Sequence, residues 1–308
     1  MRTAVFGAGG IGGYLGGRLS QSGEEVAVIA RGDHLEAIQE RGLRVDSIKG
    51  DFVSHPELVT SNPAQVGNVD LIILGVKAWQ VSDAVKIMNP MIGPSTAVLL
   101  VQNGVDAPAK LAAVLGAEHV VIGLCMLRSF IVGPGHLRHT SDVYPNIQLG
   151  EMASIAQDRV EGLSLIFKTI GLSVMIPEDI NVALWEKFLV FSVASGMGAI
   201  TRTTTGVWRS IPETRQMAET AVRELVSVGQ SQGINLSDQT FNSTMGLIDN
   251  WAEDHTTSMA KDLMEGRPSE LEAAIGHVVR LGLESSIDVP MINFMHNSLL
   301  PQELQARS

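Results

Sequence analysis

The sequence predicts an α/β domain built on an open parallel sheet, followed by an all-helical domain, and three observations carry that prediction. A short apolar run at residues 3–6 ends abruptly in a glycine cluster, after which apolar residues recur at helical spacing. Two further runs, residues 69–76 and 97–101, are apolar almost without interruption, the pattern of strands buried on both faces. From Pro177 onward the apolar spacing is helical almost throughout.

The first element is the strand at residues 3–6. It runs into Gly7-Ala8-Gly9-Gly10-Ile11-Gly12, and Tyr14, Leu15 and Leu19 then mark one face of a helix. A break at Ser22-Gly23 precedes a second strand at residues 26–30. The glycines therefore stand where a βαβ unit needs them. Gly7 permits the tight turn, Gly9 lets the backbone approach a pyrophosphate, and Gly12 lets the helix pack close to the strand. The helix N-terminus adds free N–H groups and the positive end of a dipole. A dinucleotide is expected on residues 7–12, in a Rossmann-type domain. A glycine turn that binds nothing is the competing reading, and the flanking strand and helix weigh against it.

At the end of the second strand an acid would hold a ribose 2′-OH, whereas an arginine suits a 2′-phosphate. The residue is Arg31, which favours NADP(H). Asp33-His34-Leu35-Glu36 has the D-x-x-E form of a capping box opening the next helix, so Asp33 is not read as the ribose acid. The plainer reading of Arg31 is an exposed loop cation.

Helices are expected at residues 80–88 and 108–115, with Pro90, Gly93, Pro94 and Gly116 as punctuation. Strands follow at 120–127, 136–139 and 147–149, joined through Gly133-Pro134-Gly135, and then a helix at 155–170 and a run at 172–176. The domain boundary falls between residues 178 and 179. The second domain, 179–308, is expected to hold helices at 179–195, 214–232, 237–251, 258–265 and 269–283, with a frayed tail beyond Pro301. The thirteen methionines, several of them in this half, read as core filler.

Composition removes whole classes of function. A chain of 308 residues, 45% hydrophobic, has ample material for two cores, so disorder is excluded. A net charge of −11 weakens attraction to phosphate backbones and anionic lipid, and nucleic acid is not an expected partner. Cys125, the lone cysteine, cannot form an internal disulfide, and no Cys/His pairs stand at zinc spacing. That usage fits a reducing, cytoplasmic setting. The densest apolar runs, such as 69–76 and 188–194, fall short of the roughly 18 to 20 residues a bilayer requires, and the N-terminus lacks the features of a signal segment.

Ligands of open α/β sheets bind beyond the carboxyl ends of the strands. Lys77 follows the run at 69–76 and Asn103 follows the run at 97–101, and both are candidate donors to an α-keto acid beside the nicotinamide. Each also has an ordinary reading, as a surface lysine and as an Asn-Gly turn. The stretch 180–194 is apolar on nearly every face yet carries Glu186 and Lys187 in its middle. A desolvated lysine has its pKa drawn toward the working pH, which suits a proton donor, while a lysine that snorkels to water beside Glu186 is the alternative. Ser269 reads as an N-cap that places Glu270 in a first helical turn, where the dipole favours a carboxylate.

Taken in order, these residues resemble the ketopantoate reductase (2-dehydropantoate 2-reductase) family over essentially the whole chain. Residues 7–12 are similar to its cofactor loop, Arg31 to its 2′-phosphate arginine, Val76-Lys77-Ala78-Trp79-Gln80 to its strand-end lysine motif, and Gln102-Asn103-Gly104 to its asparagine. Trp185-Glu186-Lys187 resembles the catalytic lysine helix. Ser258-Met259 with Asp262, then Arg267-Pro268-Ser269-Glu270, resembles the segment bearing the substrate-binding serine and the catalytic glutamate. The resemblance implies NADPH-dependent reduction of ketopantoate on the route to pantothenate and coenzyme A, with Lys187 and Glu270 catalytic. Asn103, Ser258, Lys77 and Ser195 would meet substrate, and Lys77, Asn103 and Glu270 would also meet cofactor. Phe191 and Ser195 stand where the family carries asparagines, and Phe191 cannot donate a hydrogen bond. That departure opens two further readings: reduction of a more apolar 2-oxoacid, and a catalytically silent NADPH sensor. The expected partner is a small 2-oxoacid, and a homodimer is left open.

Overall fold

The computed structural model describes residues 1–141, 143–152 and 157–308. Twelve strands are seen among them: β1 (Arg2–Phe6), β2 (Glu25–Ile29), β3 (Leu43–Ser47), β4 (Phe52–Ser54), β5 (Leu58–Thr60), β6 (Leu71–Leu74), β7 (Ala97–Leu100), β8 (Val120–Cys125), β9 (Ser129–Gly133), β10 (His136–His139), β11 (Ile147–Glu151) and β12 (Val174–Met175). The helices are α1 (Gly10–Gln21), α2 (Gly32–Arg41), α3 (Val81–Met88), α4 (Ala107–Leu115), α5 (Gln157–Thr169), α6 (Ile180–Thr201), α7 (Thr205–Ser210), α8 (Pro212–Ser231), α9 (Thr240–Asp249), α10 (Ser258–Met264), α11 (His277–Ser285) and α12 (Pro290–Arg307). The expected start of the α5 helix, at residue 155, lies outside the described residues.

The chain divides into two compact units, residues 1–102 with 107–180, and residues 103–106 with 181–308. In the first, eight strands form one sheet in the order β12-β11-β8-β7-β6-β1-β2-β5. All neighbours run parallel except β11 against β8. Side chains along each central strand alternate between two buried clusters. Val5, Leu71, Ile73 and Leu99 face one, and Ala4, Phe6, Ile72, Leu74, Val98 and Leu100 face the other. Both faces are covered, which is why these strands read as unbroken apolar runs.

A second sheet, β4-β3-β10-β9, was not anticipated beyond its single strand at 136–139. It packs against α1, where Phe52 and Leu137 reach the helix's glycine face. Its strands are only three to five residues long: β3, β4 and β10 alternate buried and exposed residues, but over runs too brief to stand out in the sequence, while β9 is apolar at Phe130, Ile131 and Val132 on an outer edge.

The second unit is helical, around a core that includes Leu189, Val193, Met197, Trp208, Leu225, Ile275 and Met295. Three expectations are corrected here. The apolar run at 188–194 is the centre of α6, a helix of 22 residues that by length and hydropathy would cross a membrane; 72% of its 18-residue window is buried inside the protein, so it is a core helix. The tail beyond Pro301 does not fray. Pro301 removes one helical hydrogen bond, but α12 continues to Arg307 because Glu303 and Arg307 are tied to Ser269. The third correction concerns α2, which begins two residues earlier than the Asp33 capping box requires. Arg31 is its N-cap and Asp33 lies in its first turn without capping it.

Candidate active site

β1 ends where the strand order reverses, with β2 on one side and β6 on the other. That switch point is where open α/β sheets leave room for a ligand beyond the strand ends. Gly7 turns the chain there with φ of +99°, and a β-carbon on it would lie 2.9 Å from the Val76 backbone nitrogen. A β-carbon on Gly12 would lie 2.4 Å from the Gly7 carbonyl oxygen, so only glycine allows α1 to sit this close. Gly9 differs from both. A β-carbon there meets only the Gly75 oxygen, at an ordinary 3.6 Å, so the protein itself does not demand glycine at that position.

Two further features belong with that open position. α1 starts with no side-chain cap and no acid in its first turn, which leaves its leading amides to an anion. Gln102, buried after β7, donates its amide to the carbonyls of Leu74 (2.5 Å) and Val76 (3.1 Å), and its Oε1 has no partner among the described residues. An uncapped helix start, backbone room at Gly9 and an unused buried acceptor fit a dinucleotide.

Arg31 is exposed at the start of α2, just beyond β2, with no side-chain cap on that helix either. Lys77 is exposed three residues beyond β6, its ammonium 5.7 Å from the centre of the Trp79 ring. His34 is a residue the sequence reading missed. Its Nδ1 accepts from the Gly135 N–H at 3.0 Å, so Nε2 carries the proton and donates to the Ala8 carbonyl at 2.9 Å. The neutral imidazole thus ties the glycine loop to the β9–β10 turn. Read as part of a helix cap, it gave no sequence signal of that long-range role.

The remaining candidates lie in the helical unit. Asn103, although it follows β7 in sequence, packs with the segment 103–106 in this second unit. Its Nδ2 donates to Oε2 of Glu270 at 3.2 Å, joining residues 167 positions apart. Glu270 is 6% exposed and Asn103 half-buried. Lys187 is half-buried on α6. Phe191 and Ser195, four and eight residues on, share its side of the helix. Phe191 is half-buried against the helical core.

Ser195 is fully buried and donates its hydroxyl to Thr257 Oγ1 at 2.9 Å. Thr257 in turn caps α10, accepting from the Ala260 N–H. Ser195 thus commits its only proton to the start of the helix whose first residue, Ser258, is exposed. Its tie to Ser258 runs through Thr257, another link invisible to local pattern.

Glu270 sits at the head of an irregular helix. Ser269 Oγ accepts from the Leu271 N–H at 3.2 Å, as an N-terminal cap would, and residues Glu272–Gly276 form a π-turn before α11. Such turns are rare and recur at functional sites. Burial pushes the Glu272 carboxyl up, but hydrogen bonds from His296 (2.6 Å) and Arg280 (2.8 Å) outweigh it and hold the group below the usual carboxylate range.

With this geometry established, the comparisons with known proteins are decisive on family. The model described as ketopantoate reductase PanE/ApbA matches residues 3–154, and that of the ketopantoate reductase PanE/ApbA C terminal matches residues 179–303. The chain belongs to the ketopantoate reductase family. A 2-dehydropantoate 2-reductase from Nostoc is 29% identical, the alignment covering 97% of this chain and 94% of the relative. The crystal structure of a PanE/ApbA family ketopantoate reductase from Ralstonia eutropha is 27% identical with a TM-score of 0.90, over 100% of both chains. A D-mandelate dehydrogenase, 23% identical with a TM-score of 0.90, covers 100% of this chain and 99% of its own, and shares the fold. The protein is an oxidoreductase of the 2-dehydropantoate 2-reductase type acting on a CH–OH group, and its family is dinucleotide-dependent. The fold alone does not choose a substrate.

Proposed function

We propose that this protein reduces ketopantoate to pantoate with NADPH. One observation carries the reading: the Glu270 carboxylate and the Asn103 carboxamide, two residues of the family motif far apart in sequence, meet at 3.2 Å. Residues 7–12 would hold the pyrophosphate, Arg31 the 2′-phosphate, and Lys77, Asn103 and Glu270 further parts of the cofactor. When bound, NADPH supplies the hydride that converts the C2 carbonyl to CH–OH. Lys187, half-buried on α6, donates the proton to the C2 oxygen as negative charge develops on it. Glu270 orients Lys187 or the substrate hydroxyl, and its own orientation is set by the Asn103 amide. Ser258, exposed at the start of α10, binds the carboxylate end. A place in pantothenate and coenzyme A synthesis, in the cytoplasm, goes with this reading.

Phe191 supports a second reading. It puts an aromatic ring four residues after Lys187, where the family carries a hydrogen-bonding side chain, and so favours a 2-oxoacid with an apolar substituent. The same assay separates the two. NADPH consumption is followed with ketopantoate, pyruvate, 2-oxoisovalerate and bulkier apolar 2-oxoacids, with NADH as the cofactor control. Rapid turnover of ketopantoate supports the first reading, and turnover only of apolar acids the second. Binding of NADPH with no turnover of any acid refutes both and makes the protein a sensor. Lys187→Ala should lower kcat by about a hundredfold or more while NADPH binding stays intact; unchanged turnover would remove Lys187 from the mechanism.

A further inference from the structure

We infer that Glu303 and Arg307, at the C-terminal end of α12, are positioning residues that aim Glu270; the inference rests on the catalytic role proposed for Glu270 above. Ser269, the residue immediately before it, is 1% exposed, and each of its polar groups is committed. Its N–H lies 3.1 and 3.0 Å from the two carboxylate oxygens of Glu303. Its hydroxyl donates to Glu303 Oε2 at 2.5 Å and accepts from the Leu271 N–H. Its carbonyl, which belongs to the peptide group leading into Glu270, accepts from Arg307 Nη2 at 2.9 Å. Arg307 Nε closes the ring by donating to Glu303 Oε1 at 2.5 Å.

The peptide plane before Glu270 is therefore held from outside its own helix. On the other side the Glu270 carbonyl accepts from the Ala274 N–H at 2.9 Å, the turn that leads into the π-segment. With both flanking peptides held, the backbone fixes the direction in which the Glu270 side chain leaves the chain, and the Asn103 amide then selects its rotamer.

Stability is a poor reason for this arrangement. Glu303 is 2% exposed, and a buried ion pair contributes little over an apolar pair of equal volume. What an apolar pair would not supply is direction: three donors converge on one carboxylate, and two of them belong to Ser269. Glu303 and Arg307 also neutralise each other, so they set geometry beside Glu270 without adding net charge.

The test uses the full-length protein with the 2-oxoacid it turns over best. Glu303→Gln should lower kcat about tenfold and Arg307→Gln about threefold. Arg307→Lys, which keeps the charge, should recover part of the loss. In a Glu270→Gln background the Glu303→Gln change should cost less than about twofold more, because residues acting through one group are not additive. A merely structural role predicts equal losses in both backgrounds, and that result would overturn the inference, as would kcat within about twofold of wild type for Glu303→Gln. Should Glu303→Gln fail to fold, the Arg307 variants carry the same comparison. Absence of turnover in the wild type would defeat the proposed function instead. The positioning would then be read from the carboxyl titration of Glu270 by NMR, and an identical titration in wild type and Arg307→Gln would overturn it.

Discussion

Removing the Glu224 carboxylate should cost the helical unit about 2 to 4 kcal/mol, because that group caps a helix it does not belong to. Glu224 lies on α8 and is 9% exposed. Its two oxygens accept the N–H groups of Met291 and Ile292, each at 2.9 Å. Those are the second and third residues of α12; the first, Pro290, has no N–H to satisfy, and the N-cap Val289 has no side chain able to cap. Glu224→Ala therefore strands two backbone donors, each costing about 1 to 2 kcal/mol when buried. Burial pushes the Glu224 carboxyl up, against the downward pull of the two backbone bonds. A carboxyl raised by folding binds its proton more tightly in the native state. Its contribution is fully present below the unfolded pKa of about 4.3 and is lost as pH rises through the folded value, at up to about 1.4 kcal/mol per pH unit. Glu224→Gln keeps one acceptor and carries no charge, so it should cost only about 1 kcal/mol at acidic pH and remove this group's slope. Denaturant unfolding followed by tryptophan fluorescence reports on this unit, since Trp185, Trp208 and Trp251 belong to it and only Trp79 lies in the other. A Glu224→Ala protein within about 0.5 kcal/mol of wild type, or a Glu224→Gln protein with the wild-type pH slope, would refute the reasoning.

Three other outcomes are expected. Arg31→Ala should raise the KM for NADPH by about ten- to a hundredfold, the worth of one or two charged hydrogen bonds, and leave that for NADH almost unchanged; equal effects on both would take Arg31 off the 2′-phosphate. Phe191→Asn should raise kcat/KM for ketopantoate relative to an apolar 2-oxoacid by about tenfold, and an unchanged ratio from the substrate panel would remove residue 191 from specificity. Asp249 is held below the usual carboxylate range by its hydrogen bonds from Arg215, at 2.6 and 2.9 Å. That stabilisation is present above the unfolded carboxyl pKa, about 3.9, and lost as pH falls through the folded value, so Arg215→Met should flatten the acid limb of stability. The pair is a third or more exposed, which limits the effect to about 1 kcal/mol or less; an acid limb identical to wild type would discount the pair altogether.

Much of the fold could be read locally because its signals are local. A strand buried on both faces must be apolar throughout, and a turn with positive φ at Gly7 favours glycine, so β1, β6, β7 and the cofactor loop announce themselves within a few residues. What failed was of another kind. In the small sheet, β3, β4 and β10 alternate over only three to five residues, too short a run to be read as a period. α12 was lost because Pro301 is a reliable stop in isolation and ceases to be one when Glu303 and Arg307 are bound from elsewhere.

The same division runs through the candidate site. Composition and motif order alone determined which residue types were present to do chemistry: the glycine loop, Arg31, Lys77, Asn103, Lys187, Ser258 and Glu270. Only the tertiary structure decided which of them meet. It joined Asn103 to Glu270, committed the Ser195 hydroxyl to Thr257, set His34 against the Ala8 carbonyl and placed the end of the chain under Ser269. A hydrogen bond depends on distance and angle at a few ångströms, and chain separations of 26 to 167 residues say nothing of either until the cores have packed.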